Sequence, residues 1–353
     1  MKHRLKLLVR RLYARVLVAT GLAGLVDRLM PRRLTILAGH CVDDESNRGL
    51  PADMRISAEK LAGILSALGR RHEFVTISEG WRRLSNAPRG RSMVALSMDD
   101  GYLDNRTRLL ELCRRSGAPA TVFLESRPLE ARRVNWSHKY FWLVDRLGAA
   151  RVAQRFADGA GDAKTRARVL EELATGDPDL AYRVKRVLKY EAERTDRDGT
   201  LDDMFRAAGG DEAALCERLY MSWNDARELG QAGNELGGHT VTHEVLSTLD
   251  ADQQAIEVAD GLRALERGLE PPIAGFAYPF GRRWDFDASS VDAVRSAGFV
   301  WAVTTHAGTN LRGADPFRLA RWTLDEDTPL ELLVAEACGG FELLRRVGID
   351  LSE

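Results

Sequence analysis

The chain has little net charge, few cysteines and no long apolar segment, and each absence excludes a class of protein. With 51 Lys and Arg against 52 Asp and Glu, the formal net charge is −1, so the composition does not favour a nucleic-acid partner. The four cysteines are widely spaced and form no Cys-x-x-Cys pair, which argues against a disulfide framework or a cysteine zinc site. What remains is a globular protein of 353 residues, long enough to form one α/β barrel with additions or two smaller domains.

The N-terminal segment combines basic and apolar side chains. Residues 1–15 carry many Lys and Arg among Leu and Val, and residues 16–26 form an apolar stretch. That stretch is too short to cross a bilayer, which takes about 20 apolar residues, and no clear small-x-small cleavage site follows it. We predict a basic amphipathic helix over residues 1–30, which either lies on anionic lipid or packs on the rest of the protein. Free cysteines favour a cytoplasmic location, with membrane association and export left open as alternatives.

Strand-like and helix-like segments alternate along most of the chain. Residues 74–77 and 93–98 are apolar runs typical of buried strands. Residues 105–116 have helical spacing and end at Gly117, and residues 120–124 form the next strand-like run. The loop after residue 98 therefore joins a strand to a helix. In parallel α/β barrels the active site lies in such loops, at the carboxyl ends of the strands.

Residues 127–220 depart from this alternation. They are rich in Ala, Arg, Glu and Leu at helical spacing and show little strand character, which predicts a helical insertion between two barrel strands. An aromatic cluster near its start includes Trp136 and Trp142. Such rings either stack on a sugar or dock the insertion onto its domain, and we favour docking for Trp142. We do not expect the neighbouring His138 to bind a metal.

Two short motifs carry the chemistry of this sequence. Asp99-Asp100-Gly101 follows the apolar run at 93–98, and His239-Thr-Val-Thr-His243 comes later in the chain. A hydrolytic divalent-metal site needs about three protein ligands and an open position, and two imidazoles with one carboxylate provide them. The second carboxylate is then available to accept a proton from water. Either motif alone is most often a turn or an incidental pair, but the combination is much rarer.

The segment Ser97-Met98-Asp99-Asp100-Gly101 resembles the Thr-Phe-Asp-Asp-Gly motif of the polysaccharide deacetylases, the NodB-homology group of carbohydrate esterases. His239 to His243 resembles their His-Ser/Thr-x-x-His motif, and Phe276-Ala-Tyr-Pro-Phe-Gly281 resembles their Arg-x-Pro-Tyr-Gly segment. The three motifs occur in the family's order, and the resemblance extends over roughly residues 35–324. It implies a distorted (β/α) barrel of the deacetylase type at 31–353, with the helical insertion at about 127–220.

The resemblance also implies roles for individual residues. It makes Asp99 the general base and the backbone N–H of Phe280 an oxyanion donor. The implied metal ligands are Asp100, His239 and His243. Zinc is the default metal for such ligands, with cobalt, nickel and iron as competitors.

This sequence departs from the family pattern in two places. Ala277 stands where many members carry the Arg that orients the base, and no Leu-x-His motif supplies the usual general acid. His40 resembles an N-terminal histidine of one deacetylase branch and is our favoured acid, with His306 as the alternative. Arg321 resembles a late arginine of the same branch and is predicted to orient Asp99, unless it is a surface arginine.

The resemblance thus predicts a metal-dependent hydrolase that removes N-acetyl groups from an amino-sugar-containing polysaccharide or oligosaccharide. Its expected partner is an N-acetylated glycan. Three alternatives stay open. The protein could be a deacetylase or deformylase of a lipid-linked sugar, a member that binds metal and glycan without turnover, or a structural protein in which both motifs are unrelated turns.

Overall fold

The structure is a computed structural model that describes residues 2–87, 89–270, 272–349 and 351. The strands are β1 (Arg33–Gly39), β2 (Cys41–Val42), β3 (Arg55–Ile56), β4 (Glu73–Phe74), β5 (Met93–Met98), β6 (Ala120–Leu124), β7 (Glu235–Gly238), β8 (Gly275–Ala277), β9 (Trp301–Val303), β10 (Asn310–Leu311) and β11 (Arg321–Thr323). The α-helices are α1 (Lys2–Ala19), α2 (Leu22–Leu29), α3 (Ala58–Gly69), α4 (Ile77–Asn86), α5 (Leu110–Ser116), α6 (Ser126–Ala131), α7 (Trp136–Leu147), α8 (Ala149–Gly159), α9 (Ala163–Ala174), α10 (Leu180–Tyr190), α11 (Arg194–Ala207), α12 (Glu212–Leu219), α13 (Trp223–Gln231), α14 (Ala251–Gly268), α15 (Ala288–Ala297), α16 (Leu330–Ala337) and α17 (Gly340–Arg346). A π-helical turn, Asn105–Leu109, leads into α5.

A mostly parallel sheet forms the centre of the fold. Its strand order is β10-β1-β5-β6-β7-β8-β9, with β4 also paired to β5 and β11 to β1. Only β10 runs antiparallel to its neighbour among these pairings. β1 and β5 are buried along their whole length, as expected for parallel strands covered on both faces. The bridge between Val303 and Leu319 links β9 to the segment before β11, which curls the sheet. The predicted barrel-type α/β fold is confirmed.

Local signals explain most of the elements around the sheet. The Ser57 side chain accepts a hydrogen bond from the backbone N–H of Lys60 and caps α3, and Gly117 ends α5 with a positive φ of 67°. The strand predicted at 74–77 is wrong beyond Phe74. Thr76 caps α4 instead, because its hydroxyl accepts the backbone N–H of Glu79 at 3.3 Å.

The N-terminal segment forms two helices rather than the single predicted one, because Gly21 interrupts it with a φ of 74°. Ala14 and Leu17 of α1 are buried, and the Tyr13 hydroxyl donates to the carbonyl of Gly340 at 2.9 Å. The Arg10 guanidinium lies 4.3 Å from the ring centroid of Trp322. Both helices pack against α16. Within the described residues, no helix combines the length and the apolar character needed to span a bilayer.

The segment between β6 and β7 is helical, and α7 to α11 contribute to a hydrophobic cluster of their own. Trp142 packs against Phe205 of the same insertion at a centroid distance of 4.6 Å. It also packs against a cluster that includes Cys41, Leu50 and Tyr102 outside the insertion, which agrees with its expected docking role. His138 lies between two tyrosines rather than at a metal site. Its Nε2 is 2.5 Å from the Tyr102 hydroxyl, and its Nδ1 contacts the Tyr220 hydroxyl. Because burial lowers the pKa of His138 to about 3, this imidazole is neutral and joins the insertion to the Asp99-Asp100 loop.

Candidate active site

The motif residues meet at one end of the sheet, where the parallel strands finish. All except Arg321 follow the ends of different strands, and the parallel arrangement brings these carboxyl ends to the same edge. Arg321 contacts Asp99 from the first residue of β11. The residues and their strands are Asp99 and Asp100 after β5, His239 and His243 after β7, Phe280 after β8, His40 after β1, His306 after β9 and Arg321 at the start of β11.

Asp100, His239 and His243 form a compact buried group. Their donor atoms lie within 4.8 Å of one another, and both imidazole Nε2 atoms are 3.3 Å from Asp100 Oδ1. That oxygen is buried and accepts no hydrogen bond within the described residues. The His239 Nδ1–H donates to the backbone carbonyl of Ala277 at 2.7 Å, which directs Nε2 towards the carboxylate. Two imidazoles and one carboxylate with lone pairs converging on one point fit a divalent cation such as zinc.

The backbone around this group is held in uncommon conformations. Asp100, Thr240, His243 and Phe280 have positive φ angles between 59° and 72°. Only Arg132 shares this property among the other non-glycine residues that the structure describes. Each such residue costs about 1–3 kcal/mol and persists where the surroundings impose it, which occurs most often at functional sites. The concentration of these residues around Asp100 and the two histidines therefore supports a functional site in these loops.

Asp99 forms a buried, two-pronged ion pair with Arg321. Arg321 Nη1 and Nη2 lie 2.7 and 2.8 Å from the two Asp99 oxygens, and its Nε donates to the Thr304 carbonyl at 2.8 Å. Arg321 is completely buried, so the alternative of a surface arginine is wrong. Burial alone would raise the pKa of Asp99, but the adjacent guanidinium outweighs it and holds the pKa below its usual value. Asp99 is thus a carboxylate at neutral pH.

The two candidate acids differ in their surroundings. His40 is partly buried, and its Nδ1 has no hydrogen-bond partner within the described residues. Gly39 pairs with Met98, and its carbonyl accepts the Asp99 N–H at 3.0 Å, so His40 starts the loop next to Asp99. The His306 ring instead approaches Phe286 at 6.0 Å, and its carbonyl accepts the backbone N–H of Arg321 at 3.0 Å. The role of general acid stays a prediction, with His40 favoured and His306 as the alternative.

Phe280 contributes both its ring and its backbone. The ring packs edge-on against the His243 imidazole at a centroid distance of 4.7 Å. Phe280 and Gly281 both have positive φ, which turns the chain sharply, and the Phe280 carbonyl accepts the Thr305 hydroxyl at 2.9 Å. No hydrogen bond from the Phe280 N–H occurs among the residues described. The group is therefore available to a ligand.

Glu257 has a supporting role that sequence reasoning missed. From α14, its carboxylate accepts the backbone N–H groups of Val241 and Thr242 at 3.1 and 2.9 Å and the Thr242 hydroxyl at 2.5 Å. It therefore holds the loop between His239 and His243. No motif surrounds Glu257 in the sequence, so only the structure reveals it.

We expect Glu257→Ala to weaken zinc binding roughly 10- to 100-fold, because residues that hold metal ligands in place typically contribute that much to metal affinity. The measurement is zinc affinity by competition with a chromophoric chelator. Glu266→Ala, on the same helix, is the matched control. Equal affinities in both variants would show that the loop keeps its shape without the carboxylate.

Comparisons with known proteins bear on the family and the fold. Residues 199–302 match the polysaccharide deacetylase family model. YxkH of Bacillus subtilis (strain 168), whose name places it in the same family, is 26% identical over 108 residues, or 31% of this chain. The chain spans 38% of that relative's length in this match.

Two solved structures share the fold. The Streptococcus pyogenes deacetylase PplD in complex with acetate has a TM-score of 0.57 at 16% identity, covering 87% of this chain and 99% of that one. IcaB from Ammonifex degensii has a TM-score of 0.53 at 18% identity, covering 87% and 97%. These findings confirm the family resemblance that the motifs predict. The chain therefore has the fold of these deacetylases, and its residues 199–302 match the polysaccharide deacetylase family model.

Proposed function

We propose that the protein is a metal-dependent hydrolase that removes N-acetyl groups from an amino-sugar-containing glycan. The observation that carries this proposal is the position of an ionised, Arg321-paired carboxylate, Asp99, directly beside the buried group of Asp100, His239 and His243. The family match supports the same activity. A structural protein would have no need to bury these charges together.

In the proposed reaction, a water oxygen attacks the acetamide carbonyl, the C–N bond breaks, and acetate and a free amine form. A cation held by Asp100, His239 and His243 would acidify the water and polarise the carbonyl. The Asp99 carboxylate accepts the water proton, and Arg321 keeps that carboxylate ionised and oriented. The Phe280 N–H donates to the carbonyl oxygen as negative charge develops there. His40 donates a proton to the departing amine.

Acetate release and metal content test this proposal together. Zinc-loaded wild type is expected to release acetate from N-acetylglucosamine oligomers, and removal of the metal with dipicolinate is expected to abolish release until zinc is restored. Wild type should hold about one zinc per chain, and Asp100→Ala should lose it. A zinc-loaded protein that releases no acetate from any acetylated glycan would leave the binding-only alternative. Failure to retain zinc would contradict the metal site itself.

A membrane-surface role completes the proposal and bears on the lipid-linked alternative. Leu8, Leu12 and Val16 form an exposed row on α1, at i, i+4 and i+8, and Leu25 and Leu29 are exposed on α2. Both helices bury their other sides against α16, so these apolar side chains face away from the barrel. Every charged residue from 2 to 26 is basic. An apolar row flanked by basic side chains suits an anionic bilayer surface.

Vesicle co-sedimentation tests this surface. Wild type is expected to bind vesicles that contain phosphatidylglycerol more strongly than pure phosphatidylcholine vesicles. The double variant Leu8→Glu, Leu12→Glu should bind at least about tenfold more weakly, because each leucine contributes about 1.5–3 kcal/mol when it leaves water. The control pair Ile256→Glu, Val300→Glu changes equally exposed apolar residues elsewhere. Equal losses of vesicle binding in the two double variants would contradict lipid binding. So would a wild-type dimer that dissociates in the Leu8, Leu12 variant and not in the control variant.

A further inference from the structure

The helical insertion places a lysine above the candidate active site. Lys185 of α10 lies with its Nζ 4.5 Å from the ring centroid of Phe141 and 5.7 Å from that of Phe280. The Phe280 ring in turn contacts the His243 imidazole. The ammonium is therefore one aromatic ring away from a candidate metal ligand.

Lys185 differs from its neighbour Lys189, which forms an ion pair with Asp285. Lys189 Nζ lies 3.1 Å from Asp285 Oδ1. The same Nζ lies 3.3 Å from the centroid of the Phe280 ring. Within the part of the chain that the structure describes, no carboxylate lies within ion-pairing distance of Lys185. Burial lowers the pKa of Lys185 to about 8, with Asp53 and Asp100 raising it and Arg282 lowering it. The group remains mostly charged at neutral pH.

Lys185 is only partly buried, and an ammonium at such a position is less stable without a counter-ion than with one. The two aromatic faces offset part of this cost through cation–π contacts, but they provide no hydrogen-bond acceptor. Arg282, two residues beyond Phe280, adds positive charge to the same region. The nearby carboxylates have other partners: Asp99 pairs with Arg321, Asp53 accepts the Tyr182 hydroxyl at 2.9 Å, and Asp100 belongs to the candidate metal group. The position above the site thus favours an anion that the protein does not supply.

We propose that the Lys185 ammonium binds an anionic group, a carboxylate or a phosphate, carried by the acetylated sugar or by the next sugar in the glycan. This inference rests on the proposed function for the identity of the sugar. It assigns the insertion a part in substrate selection, because Lys185 reaches the barrel loops from α10. A neutral glycan would leave the ammonium without a partner and bind less tightly.

Binding measurements test this inference without turnover. In the zinc-loaded Asp99→Asn background, three probes are titrated by calorimetry: a neutral N-acetylglucosamine tetramer, a hyaluronan tetrasaccharide with carboxylates, and N-acetylglucosamine 1-phosphate. At least one anionic probe is expected to bind roughly tenfold more tightly than the tetramer, as charge-assisted hydrogen bonds typically allow. The anionic probe that binds more tightly shows whether the site favours a carboxylate or a phosphate.

Substitutions then assign the preference to Lys185. Lys185→Met should bind the anionic probe roughly tenfold more weakly, and its affinity for the neutral tetramer should stay nearly unchanged. Lys185→Arg should retain the preference for the anionic probe. Lys185→Gln replaces Lys185→Met in this experiment if the Met variant is unstable. Arg186→Met, an exposed neighbour on the same helix, is the control. Anionic probes that bind no better than the tetramer, or equal losses for all probes in Lys185→Met, would overturn the proposal. Acetate release by wild type reports separately on the proposed function.

Discussion

Asp99→Asn is expected to reduce acetate release by roughly 10²- to 10⁴-fold, the range typical for loss of a general base. The substitution keeps the shape of the side chain but removes the charge that accepts a proton from water. Zinc content should stay at the wild-type level, because the metal group consists of Asp100, His239 and His243. The measurement is kcat for acetate release beside zinc per chain in the same preparation.

Asp104→Asn is the matched control for this experiment. Asp104 is another buried aspartate of the same loop region, and it accepts the Val42 backbone N–H at 2.7 Å without belonging to the metal group. Its substitution is expected to affect stability more than catalysis. If Asp99→Asn retained nearly full activity, another group would have to accept the proton. If wild type and Asp99→Asn were equally inactive, the chain would bind metal and glycan without turnover.

The parts of the site that sequence reasoning located are those with short-range signals. Asp99 and Asp100 stand together after an apolar strand, and His239 and His243 are four residues apart, so each pair is visible in a few letters. Parallel strand topology then brings the pairs together. The two pairs are far apart along the chain, but the prediction needs only the fold class, because all parallel strands of such a sheet end at the same edge.

The remaining contacts depend on packing between distant elements. The ion pair between Asp99 and Arg321 joins residues 222 positions apart, and only the family resemblance pointed to it. Glu257 and Lys185 have no motif around them, since a lone Glu or Lys on a helix is usually a solvated residue. Their roles arise from the way in which α14 and α10 pack over the loops. Such packing is set by tertiary contacts that periodicity does not encode.

The short strand β4 illustrates the same limit locally. An apolar run at 74–77 fits a strand or the first turn of a helix, and hydrophobicity alone does not separate them. The Thr76 cap decides between the two, because its hydroxyl satisfies a backbone N–H that a helix end leaves free. Capping signals therefore deserve weight equal to that of apolar runs when a segment is this short.

Arg321→Met is expected to lower the free energy of unfolding by about 3–5 kcal/mol, because it leaves the Asp99 carboxylate buried without its partner. Catalysis should fall as well, since burial without the guanidinium raises the pKa of Asp99 and removes the ionised base. Denaturant unfolding and kcat, measured at the same pH, check the two effects. The exposed Arg318→Met, three residues earlier, is the control.

A double-mutant cycle separates the ion pair from simple loss of packing. In the Asp99→Asn background, Arg321→Met no longer leaves a charge unpaired, so its cost in unfolding free energy should be smaller than in wild type. The difference between the two costs measures the coupling between the residues. If Arg321→Met cost the same in both backgrounds, the arginine would stabilise the barrel through its other contacts, with Thr304 and Ser97, and would not be needed to hold Asp99. A smaller cost together with lower kcat would establish Arg321 as the residue that positions the base.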